Sequence, residues 1–248
     1  MSPFSLQGKT ILITGASSGI GRACAVCASR LGASIIATGR RDVALKETVA
    51  ACDGTGHQTE AGDIADPGFI KKLVEKSGKI DGLVHAAGIG PMCPVGMLSE
   101  DHIESVMRTN FLSFLELMKY YSKNKFRNGN ISVVAISSVS AESGWGGVVV
   151  YCGSKGALSS SVRALSMELA PKGIRVNAVC PSNIRTPLYE SGASEMNDEV
   201  ALKELLKQQP LGLGEPEQVA WPVCFLLSDA SSFITGVNMP VDGGYLAH

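Results

Sequence analysis

A glycine-rich turn follows a short apolar segment close to the start of the chain. The segment Thr10-Ile11-Leu12-Ile13 is typical of a buried strand, and it continues into Thr14-Gly15-Ala16-Ser17-Ser18-Gly19-Ile20-Gly21. Glycines at 15, 19 and 21 allow a sharp turn and let the next helix, predicted to reach Leu31, pack on a sheet without a Cβ clash. Amides at such a helix start favour anions. The turn therefore predicts a site for a dinucleotide phosphate, although glycines also close purely structural βα loops.

Short β-rich segments alternate with helical patterns along the rest of the chain. Strands are predicted at 10–14, 35–38, 58–61, 83–86, 131–137, 175–180 and 238–241, and helices at 20–31, 43–52, 69–76, 103–126, 150–169, 199–207 and 217–227. This alternation is typical of an α/β fold in which helices cover both faces of a doubly wound parallel sheet, the Rossmann fold. Because α/β folds of this length commonly form one unit, we expect a single dinucleotide-binding domain over 1–248.

The segment 187–210 is predicted to cover the carboxyl ends of the strands, where open α/β sheets bind their ligands. It mixes polar residues with apolar ones, among them Leu188, Tyr189, Met196 and Leu202. We expect this segment to act as a mobile substrate lid. The alternative is an ordinary helical excursion that packs on the core.

The composition bears on the class of partner and site. A formal net charge of -1 gives no electrostatic basis for binding nucleic acid or an anionic membrane surface. No apolar segment approaches the roughly 18 residues that span a bilayer, and residues 1–8 lack the pattern of a targeting leader. Seven cysteines suit reduced thiols. Cys24 and Cys27 match C-x-x-C, but they lie inside the helix predicted after the glycine turn and have no second pair to complete a metal site, and the four histidines show no ligand spacing. We expect a cytoplasmic protein with a small-molecule partner and no metal.

A second group of motifs lies further along the chain. Tyr151-Cys152-Gly153-Ser154-Lys155 is preceded by Ser138, thirteen residues before the tyrosine, and by Asn110 on a predicted helix. Together with the glycine turn, Ala86-Ala87-Gly88 and a proline turn from Pro181 to Thr186, these residues resemble the classical short-chain dehydrogenase/reductase family over essentially the whole chain. The resemblance implies a catalytic set of Asn110, Ser138, Tyr151 and Lys155. It also implies that Asn110 positions a water for proton relay and that Lys155 holds the cofactor ribose.

Proton exchange by a tyrosine requires help from its surroundings. Tyr151 and Lys155 are four residues apart on a predicted helix, so they share one face at a rise of about 6 Å. A free tyrosine has a pKa of about 10, which is too high for efficient exchange at neutral pH. We expect Lys155 and the positive nicotinamide of the oxidised cofactor to lower it. Ser137, Ser138 and Ser140 are all candidates to bond the substrate oxygen, and the resemblance selects Ser138.

The residues after the second strand bear on the choice of nucleotide. NAD-selective folds place a carboxylate there, whereas this chain has Thr38-Gly39-Arg40-Arg41. Arg40 can bond a 2′-phosphate and Arg41 adds positive charge, so we expect NADP(H); the alternative is a solvated arginine face. The resemblance implies that Asp63 and Ile64 meet the adenine and that Ile184 and Thr186 hold the nicotinamide. The predicted cofactor-binding residues are Gly15, Ser17, Ser18, Gly19, Ile20, Gly21, Arg40, Arg41, Asp63, Ile64, Ala87, Gly88, Tyr151, Lys155, Ile184 and Thr186.

The substrate is less constrained than the chemistry. The resemblance to acyl-carrier-protein reductases favours reduction of a 3-oxoacyl thioester, and it implies that Arg127 and Lys172 form a basic pair that meets the acidic carrier. The alternatives are a sugar, a steroid or a small alcohol as substrate, or a nucleotide-sensing protein without catalysis. The expected pocket-lining residues are Met92, Trp145, Val148, Val149, Tyr189 and Met196. The resemblance also favours a homotetramer.

Three positions depart from the family pattern. Ser182 stands where the family usually has glycine, His85 where it has asparagine and Leu213 where it often has arginine. We expect these changes to affect scaffold contacts more than the chemistry.

Overall fold

Strands and helices alternate along the described part of the chain, residues 2–193 and 207–247 of a computed structural model. The strands are β1 (Thr10–Thr14), β2 (Ser34–Gly39), β3 (Gln58–Ala61), β4 (Ile80–His85), β5 (Arg127–Ile136), β6 (Ile174–Pro181) and β7 (Asn238–Val241). The helices are α1 (Gly19–Arg30), α2 (Asp42–Ala50), α3 (Pro67–Ser77), α4 (Glu100–Met107), α5 (Ser113–Tyr121), α6 (Val149–Leu169), α7 (Pro187–Ala193) and α8 (Pro216–Leu227). A π turn, Arg108–Leu112, joins α4 to α5.

The seven strands form one parallel sheet with the order β3-β2-β1-β4-β5-β6-β7. In the middle of β1, Leu12 pairs with Ile36 of β2 on one side and with Leu83 of β4 on the other. The chain builds the sheet outward from β1 to β3 and then returns to begin β4 next to β1. This reversal of strand order leaves a crevice at the carboxyl ends of β1 and β4, where sheets of this type bind ligands.

Apolar residues of the strands alternate between two faces, and helices cover each face. Ile11 and Ile13 of β1 belong to a buried cluster with residues of α1 and α8. Leu12 belongs to a second cluster with residues of α3, α5 and α6. The sheet is thus buried on both sides, which fixes the positions of the loops at its carboxyl edge.

The structure confirms the predicted fold class and all seven strands, with different bounds at several strand ends. The single helix predicted over 103–126 is wrong, because α4 and α5 are separated by the π turn and α5 ends at Tyr121. The predicted helix at 199–207 lies outside the described residues except for Lys207. The central part of the predicted lid, with Met196 and Leu202, also lies outside them. Among the helices that the structure describes, none is both long and apolar enough to cross a membrane.

Candidate active site

A cavity of about 680 Å³ lies at the carboxyl ends of the strands. This volume is within the range of roughly 300–1,000 Å³ that is typical of small-molecule sites. Every predicted site residue lines it except Asn110. The predicted substrate-side residues Met92, Trp145, Val148 and Tyr189 line it too, whereas Val149, the exposed first residue of α6, does not, so that prediction is wrong. The fold therefore brings the two distant motif groups into one crevice.

The glycine turn between β1 and α1 forms one end of the cavity. Gly15 has a φ of +67°, and a Cβ at this position would lie 2.7 Å from the Ala86 carbonyl oxygen. A Cβ on Gly21 would overlap the Gly15 carbonyl oxygen. Ser18 precedes α1, and its side chain makes no capping hydrogen bond to the helix. The main chain of the turn therefore borders the cavity directly, which suits a pyrophosphate group.

Two exposed arginines follow β2 at the same end of the cavity. Arg41 donates hydrogen bonds to the Ser17 carbonyl oxygen at 3.1 Å and to Ser17 Oγ at 3.4 Å, which ties the end of β2 to the glycine turn. Arg40 has no hydrogen-bond or ion-pair partner among the described residues. The next carboxylate along the chain, Asp42, pairs with Lys46 at 2.7 Å. The guanidinium of Arg40 is therefore available to an anionic ligand.

A buried chain of hydrogen bonds links the glycine turn to the π turn. Thr14 Oγ1 accepts hydrogen bonds from the amides of Ala86 and Ala87 at 3.2 and 3.1 Å. Since a hydroxyl has one proton, we assign it to the 3.2 Å bond with His85 Nδ1. His85 Nε2 then carries the imidazole proton and donates to the Asn110 carbonyl oxygen at 3.4 Å. Burial lowers the pKa of His85 to about 3, so the ring is neutral at physiological pH.

Asn110 lies within the π turn and is fully buried. Its Oδ1 accepts from the Ile89 amide at 2.8 Å, and its Nδ2 donates to the Ile89 carbonyl oxygen and to Ser154 Oγ, each at 2.9 Å. Ser154 precedes Lys155 on α6. The Asn110 side chain therefore holds the loop after β4 against the helix that carries Tyr151 and Lys155, and the structure does not bring it to the cavity surface.

The phenol of Tyr151 lies next to Ser138. Burial raises the pKa of Tyr151, and a hydrogen bond with the Ser138 hydroxyl acts in the opposite direction. Ser138 Oγ also accepts from the Ser140 amide at 3.1 Å. The Ser137 hydroxyl is directed elsewhere, since it bonds Ser159 Oγ at 2.7 Å. Of the three serines that the sequence offers, Ser138 is thus the one that contacts the phenol.

Lys155 is buried one helical turn after Tyr151. Its Nζ donates to the Ile136 carbonyl oxygen at 2.7 Å and lies 5.7 Å from the centroid of the Tyr151 ring. Burial lowers the pKa of Lys155 to about 8, so the Lys155 side chain is mostly protonated and positively charged at pH 7. The pKa of Tyr151 nevertheless lies above its ordinary value, so the protein alone does not provide the lowered pKa expected with oxidised cofactor bound.

Further along the cavity wall, the segment after β6 is held by its own hydrogen bonds. Ile184 is buried and forms a parallel bridge with Gly214. Thr186 Oγ1 donates to the Ile184 carbonyl oxygen at 3.2 Å and accepts from the Tyr189 amide at 3.3 Å. At the other end of the crevice Asp63 Oδ1 accepts from the Ala65 amide at 2.9 Å, and its carboxylate is exposed.

Ser182 replaces the usual glycine and connects three segments of the chain. Its hydroxyl lies 2.9 Å from Gln209 Oε1 and 2.8 Å from the Asp242 carbonyl oxygen, and it can donate to either. The buried Gln209 donates in turn from Nε2 to the Asn183 carbonyl oxygen at 3.1 Å. Sequence reasoning missed Gln209 and Thr14, and the serine at a usual glycine position was the only signal for this cluster.

Comparisons with known proteins fit this geometry. A family model described as enoyl-(acyl carrier protein) reductase matches residues 15–246. An L-rhamnose 1-dehydrogenase (NAD(P)(+)) of Sphingomonas sp. (strain SKA58) is 35% identical over 248 residues, which cover 96% of either chain. A 3-oxoacyl-[acyl-carrier-protein] reductase of Rickettsia conorii (strain ATCC VR-613 / Malish 7) is 35% identical over 97% of this chain and 98% of that protein.

A solved structure is similar over the full length of both chains. It is a candidate NAD(P)-dependent gluconate 5-dehydrogenase of Beutenbergia cavernae with bound NADP at low occupancy, and it has a TM-score of 0.90 and 32% sequence identity. The chain belongs to the short-chain dehydrogenase/reductase family. As a member of this family it is an oxidoreductase that acts on carbonyl or alcohol groups with a nicotinamide cofactor.

The family resemblance also implied a basic pair for a carrier protein, and this expectation is wrong for Arg127. The side chain is buried at the start of β5, and its guanidinium bonds Asn124 Oδ1 and the Gly129 carbonyl oxygen. Lys172 is exposed. Of the two expected basic residues, only Lys172 is therefore exposed for contact with a partner protein. In residues 2–193 and 207–247 no three His, Cys, Asp or Glu side chains are grouped to hold a metal ion.

Proposed function

We propose that this protein reduces a carbonyl group to a secondary alcohol with NADP(H), with Tyr151 as the proton donor. The observation that carries the proposal is that Tyr151, Ser138 and Lys155 line the same cavity as the glycine turn. Sensing proteins of the same fold need the nucleotide site but not this set of side chains. The retained set supports catalysis over a purely sensing role.

The residues around the cavity fit a phosphorylated dinucleotide. The backbone of the glycine turn has no room for side chains at Gly15 and Gly21, and it would hold the pyrophosphate. Arg40 and Arg41 would meet the 2′-phosphate, and the NADP in the similar solved structure supports this assignment. The remaining predicted contacts are Asp63 and Ile64 to the adenine, Lys155 to the ribose, and Ile184 and Thr186 to the carboxamide. When bound, the reduced cofactor supplies the hydride.

The side chains of the protein supply the proton and hold the reacting oxygen. Because burial raises its pKa, Tyr151 is protonated at neutral pH, which is the form needed to donate to the substrate oxygen. Ser138 would donate a hydrogen bond to the same oxygen and stabilise the charge that develops there. The ammonium of Lys155 would stabilise the phenolate that remains. Asn110 would act through Ser154 and Ile89 by fixing the positions of α6 and the adjoining loop.

The direct test is turnover of NADPH by the Tyr151→Phe variant across a panel of thioesters, sugars and diketones. Phenylalanine keeps the ring and removes the proton, so we expect kcat to fall by at least about a thousandfold. Cys152→Ala, at the next position of the same helix, is the matched control and should keep its rate. Unchanged turnover in Tyr151→Phe would refute the proposed mechanism.

Cofactor preference has its own test at Arg40. Replacing this arginine with aspartate repels a 2′-phosphate, so Arg40→Asp should lower the NADPH to NADH ratio of kcat/KM by roughly a hundredfold. Arg30→Asp reverses the same charge at the end of α1, away from the residues that line the cavity. It should leave the ratio unchanged. An NADPH preference that survives Arg40→Asp would contradict the assignment.

Two substrate classes remain to be separated. The thioester class is supported by the similarity to the Rickettsia reductase, and an acyl carrier protein would then be a partner; the sugar class is supported by the similarity to the L-rhamnose dehydrogenase. The burial of Arg127 weakens support for a carrier protein and so favours the second class. We also propose a cytoplasmic homotetramer, which light scattering would test by separating the mass of four chains from that of one.

A further inference from the structure

Two aromatic rings from distant parts of the chain meet at one end of the cavity. Trp145 lies in the loop before α6 and lines the cavity, with 42% of its surface exposed. The ring of Tyr245, near the carboxyl end of the chain, packs on it with ring centroids 6.4 Å apart and planes inclined by 29°. Tyr245 does not line the cavity itself. The indole is therefore a broad apolar surface supported from behind by a second ring.

The turn after β7 holds Tyr245 in this position. The Asp242 carboxylate accepts from the Gly244 amide at 3.0 Å and from the Leu246 amide at 2.9 Å. The Tyr245 amide donates to the Asp242 carbonyl oxygen at 3.2 Å. Gly243 and Gly244 have φ values of +62° and +92°, which a glycine pair adopts without strain. The carboxyl end of the chain thus fixes the ring that supports Trp145.

The loop that carries Trp145 is fixed on its other side as well. The Cys93 amide donates to the Gly147 carbonyl oxygen at 2.7 Å. Gly147 has a φ of +81°, and a Cβ there would lie 3.3 Å from the Met92 methyl group. Since both sides of the loop are held, the indole is presented as a preformed surface.

The charged side chains are unevenly distributed around the cavity. Among the described lining residues these are Arg40, Arg41 and Asp63, which follow β2 and β3, and Lys155 next to Tyr151. The other described residues that line the cavity, Trp145 among them, are uncharged. Ser140 and Tyr189 also line it, and each carries a hydroxyl group.

An aromatic surface in a cavity that also carries hydroxyl groups favours one class of substrate over the others. A flat aromatic ring covers the C–H face of a sugar ring, while neighbouring hydroxyls exchange hydrogen bonds with the sugar hydroxyls. Apart from Lys155, which already donates to the Ile136 carbonyl oxygen, the described cations of the cavity follow β2, so a sugar acid would bury a carboxylate with little compensation, at a cost in desolvation. A flexible acyl chain would leave the Ser140 and Tyr189 hydroxyls without partners when it buries them.

We propose that the Trp145 and Tyr245 pair is a stacking platform for the ring of a neutral sugar, and that this platform sets the substrate class of the enzyme. The inference rests on the proposed function in its oxidative direction: the anomeric C1–OH of the ring would lie next to Tyr151, give its proton to the phenolate and its hydride to NADP+, and become the carbonyl of a lactone. It assigns substrate recognition to the carboxyl end of the chain as well as to the loop before α6.

Fluorescence offers a test of binding that does not depend on turnover. The chain has two tryptophans, and Trp221 on α8 is 44% exposed and does not line the cavity. The Trp221→Phe variant therefore leaves Trp145 as the only indole. In a Tyr151→Phe/Trp221→Phe variant saturated with NADP+, L-rhamnose should produce a saturable change in emission. D-gluconate and an acetoacetyl thioester of N-acetylcysteamine should produce at most a small change at the same concentrations.

The matched control is the Tyr151→Phe/Trp145→Phe variant, in which Trp221 is the only indole and its emission should not respond to the sugar. No response from Trp145 to L-rhamnose, or an equal response to gluconate or to the thioester, would overturn the inference. If all carbonyl compounds fail as substrates of the wild-type enzyme while Trp145 responds to the sugar, the proposed function fails and the platform stands.

Kinetics of the wild type and of platform variants give an independent measurement. Trp145→Ala and Tyr245→Ala should each lower kcat/KM for the oxidation of L-rhamnose with NADP+ about tenfold more than kcat/KM for the reduction of butane-2,3-dione with NADPH, because the dione has no ring to stack. Tyr245→Phe keeps the supporting ring and should retain most of the sugar activity. Trp221→Ala should change neither value. Equal losses for both substrates would indicate a purely structural role and would overturn the inference.

Discussion

The nucleotide end and the substrate end of the cavity are built in different ways. At the nucleotide end, one continuous segment from Thr14 to Gly21 presents its main chain to the cavity, and tight backbone contacts determine its shape. At the substrate end, Trp145, Tyr189 and the supporting Tyr245 come from three separate segments and contribute side chains. The main-chain part of the nucleotide end is thus encoded largely in one segment, whereas the arginines after β2 and the side chains of the substrate end depend on the topology of the whole sheet. Four predictions test this difference, beginning with the largest effect.

The first prediction tests whether backbone packing determines the nucleotide end. In Gly21→Ala the new Cβ overlaps the Gly15 carbonyl oxygen, so the turn must shift away from its present path. Overpacking of this kind costs up to about 3 kcal/mol, and we expect the dissociation constant for NADPH to rise by about a hundredfold. Titration of NADPH fluorescence measures it.

The matched control for Gly21 is Gly153 on α6, where a Cβ would meet nothing within 4 Å. Gly153→Ala should leave NADPH affinity unchanged and should raise stability by about 0.5–1 kcal/mol, because alanine is the better helix former. Tight NADPH binding by Gly21→Ala would show that the turn tolerates side chains, and the contrast between the two ends would then be lost.

The second prediction concerns His85, which connects the two ends through Thr14 and Asn110. An unfolded histidine has a pKa near 6.5, whereas burial lowers the pKa of His85 to about 3 in the folded protein. As the pH falls below 6.5 the unfolded state binds the proton first, so stability present at neutral pH is lost progressively towards pH 3. Between pH 7.5 and 5 this loss amounts to about 2 kcal/mol.

The comparison is with His85→Asn, whose amide can replace both hydrogen bonds without titrating. Urea unfolding at pH 7.5 and pH 5 should show a smaller acid-induced loss of stability for this variant than for the wild type, by about 2 kcal/mol. His102→Asn, on α4 and outside the cavity, should keep the wild-type dependence. Identical pH dependence in the wild type and His85→Asn would contradict the buried neutral ring.

The third prediction concerns the charge that lies between the two ends. Burial lowers the pKa of Lys155 to about 8, so its ammonium is lost as the pH rises through that value. If this charge stabilises the phenolate, kcat/KM for carbonyl reduction should fall about tenfold per pH unit above pH 8. Lys155→Met should have a lower kcat/KM than the wild type, and this value should not fall above pH 8. If kcat/KM of Lys155→Met still falls above pH 8, the titrating group is not Lys155.

The fourth prediction has the smallest effect and tests whether the several hydrogen bonds around Ser182 can replace one another. Ser182→Gly restores the residue usual in the family and removes one hydroxyl from the cluster with Gln209 and Asp242. Asn183 continues to bond Gln209, so we expect a loss of about 1 kcal/mol in unfolding free energy and little change in KM. A large rise in KM would show that this single hydroxyl fixes the substrate end.

Local sequence patterns predict the parts of the molecule that depend on local geometry. The glycine turn after β1 and the spacing of Tyr151 and Lys155 on one helix face are of this kind. The seven strands are also predicted, because each is a short β-rich run between helical patterns. In all these cases the pattern that allows the prediction lies within a short segment of the chain, although the contacts themselves can be distant, as between Gly15 and Ala86.

Features that depend on tertiary contacts are not predictable in this way. The apolar pattern continues through 103–126, so nothing local marks the π turn, which seats the Asn110 amide between Ile89 and Ser154. Arg127 is buried because β5 begins there, earlier than its β-rich pattern suggests. The pairing of Trp145 with Tyr245 depends on how β7 joins the sheet. Nothing in the sequence around either residue indicates that the two rings will meet.

The π turn also has a consequence for the length of this helical segment. An α-helix turns about 100° per residue, so the additional residue within Arg108–Leu112 rotates everything after it by about that angle. The α4 portion buries Val106 alone, whereas the α5 portion buries five side chains, including Phe114 and Leu117. If the same residues formed one regular α-helix, the buried stripe of α5 would be turned by about that angle away from the core. The additional residue is therefore compatible with this packing only together with the π turn.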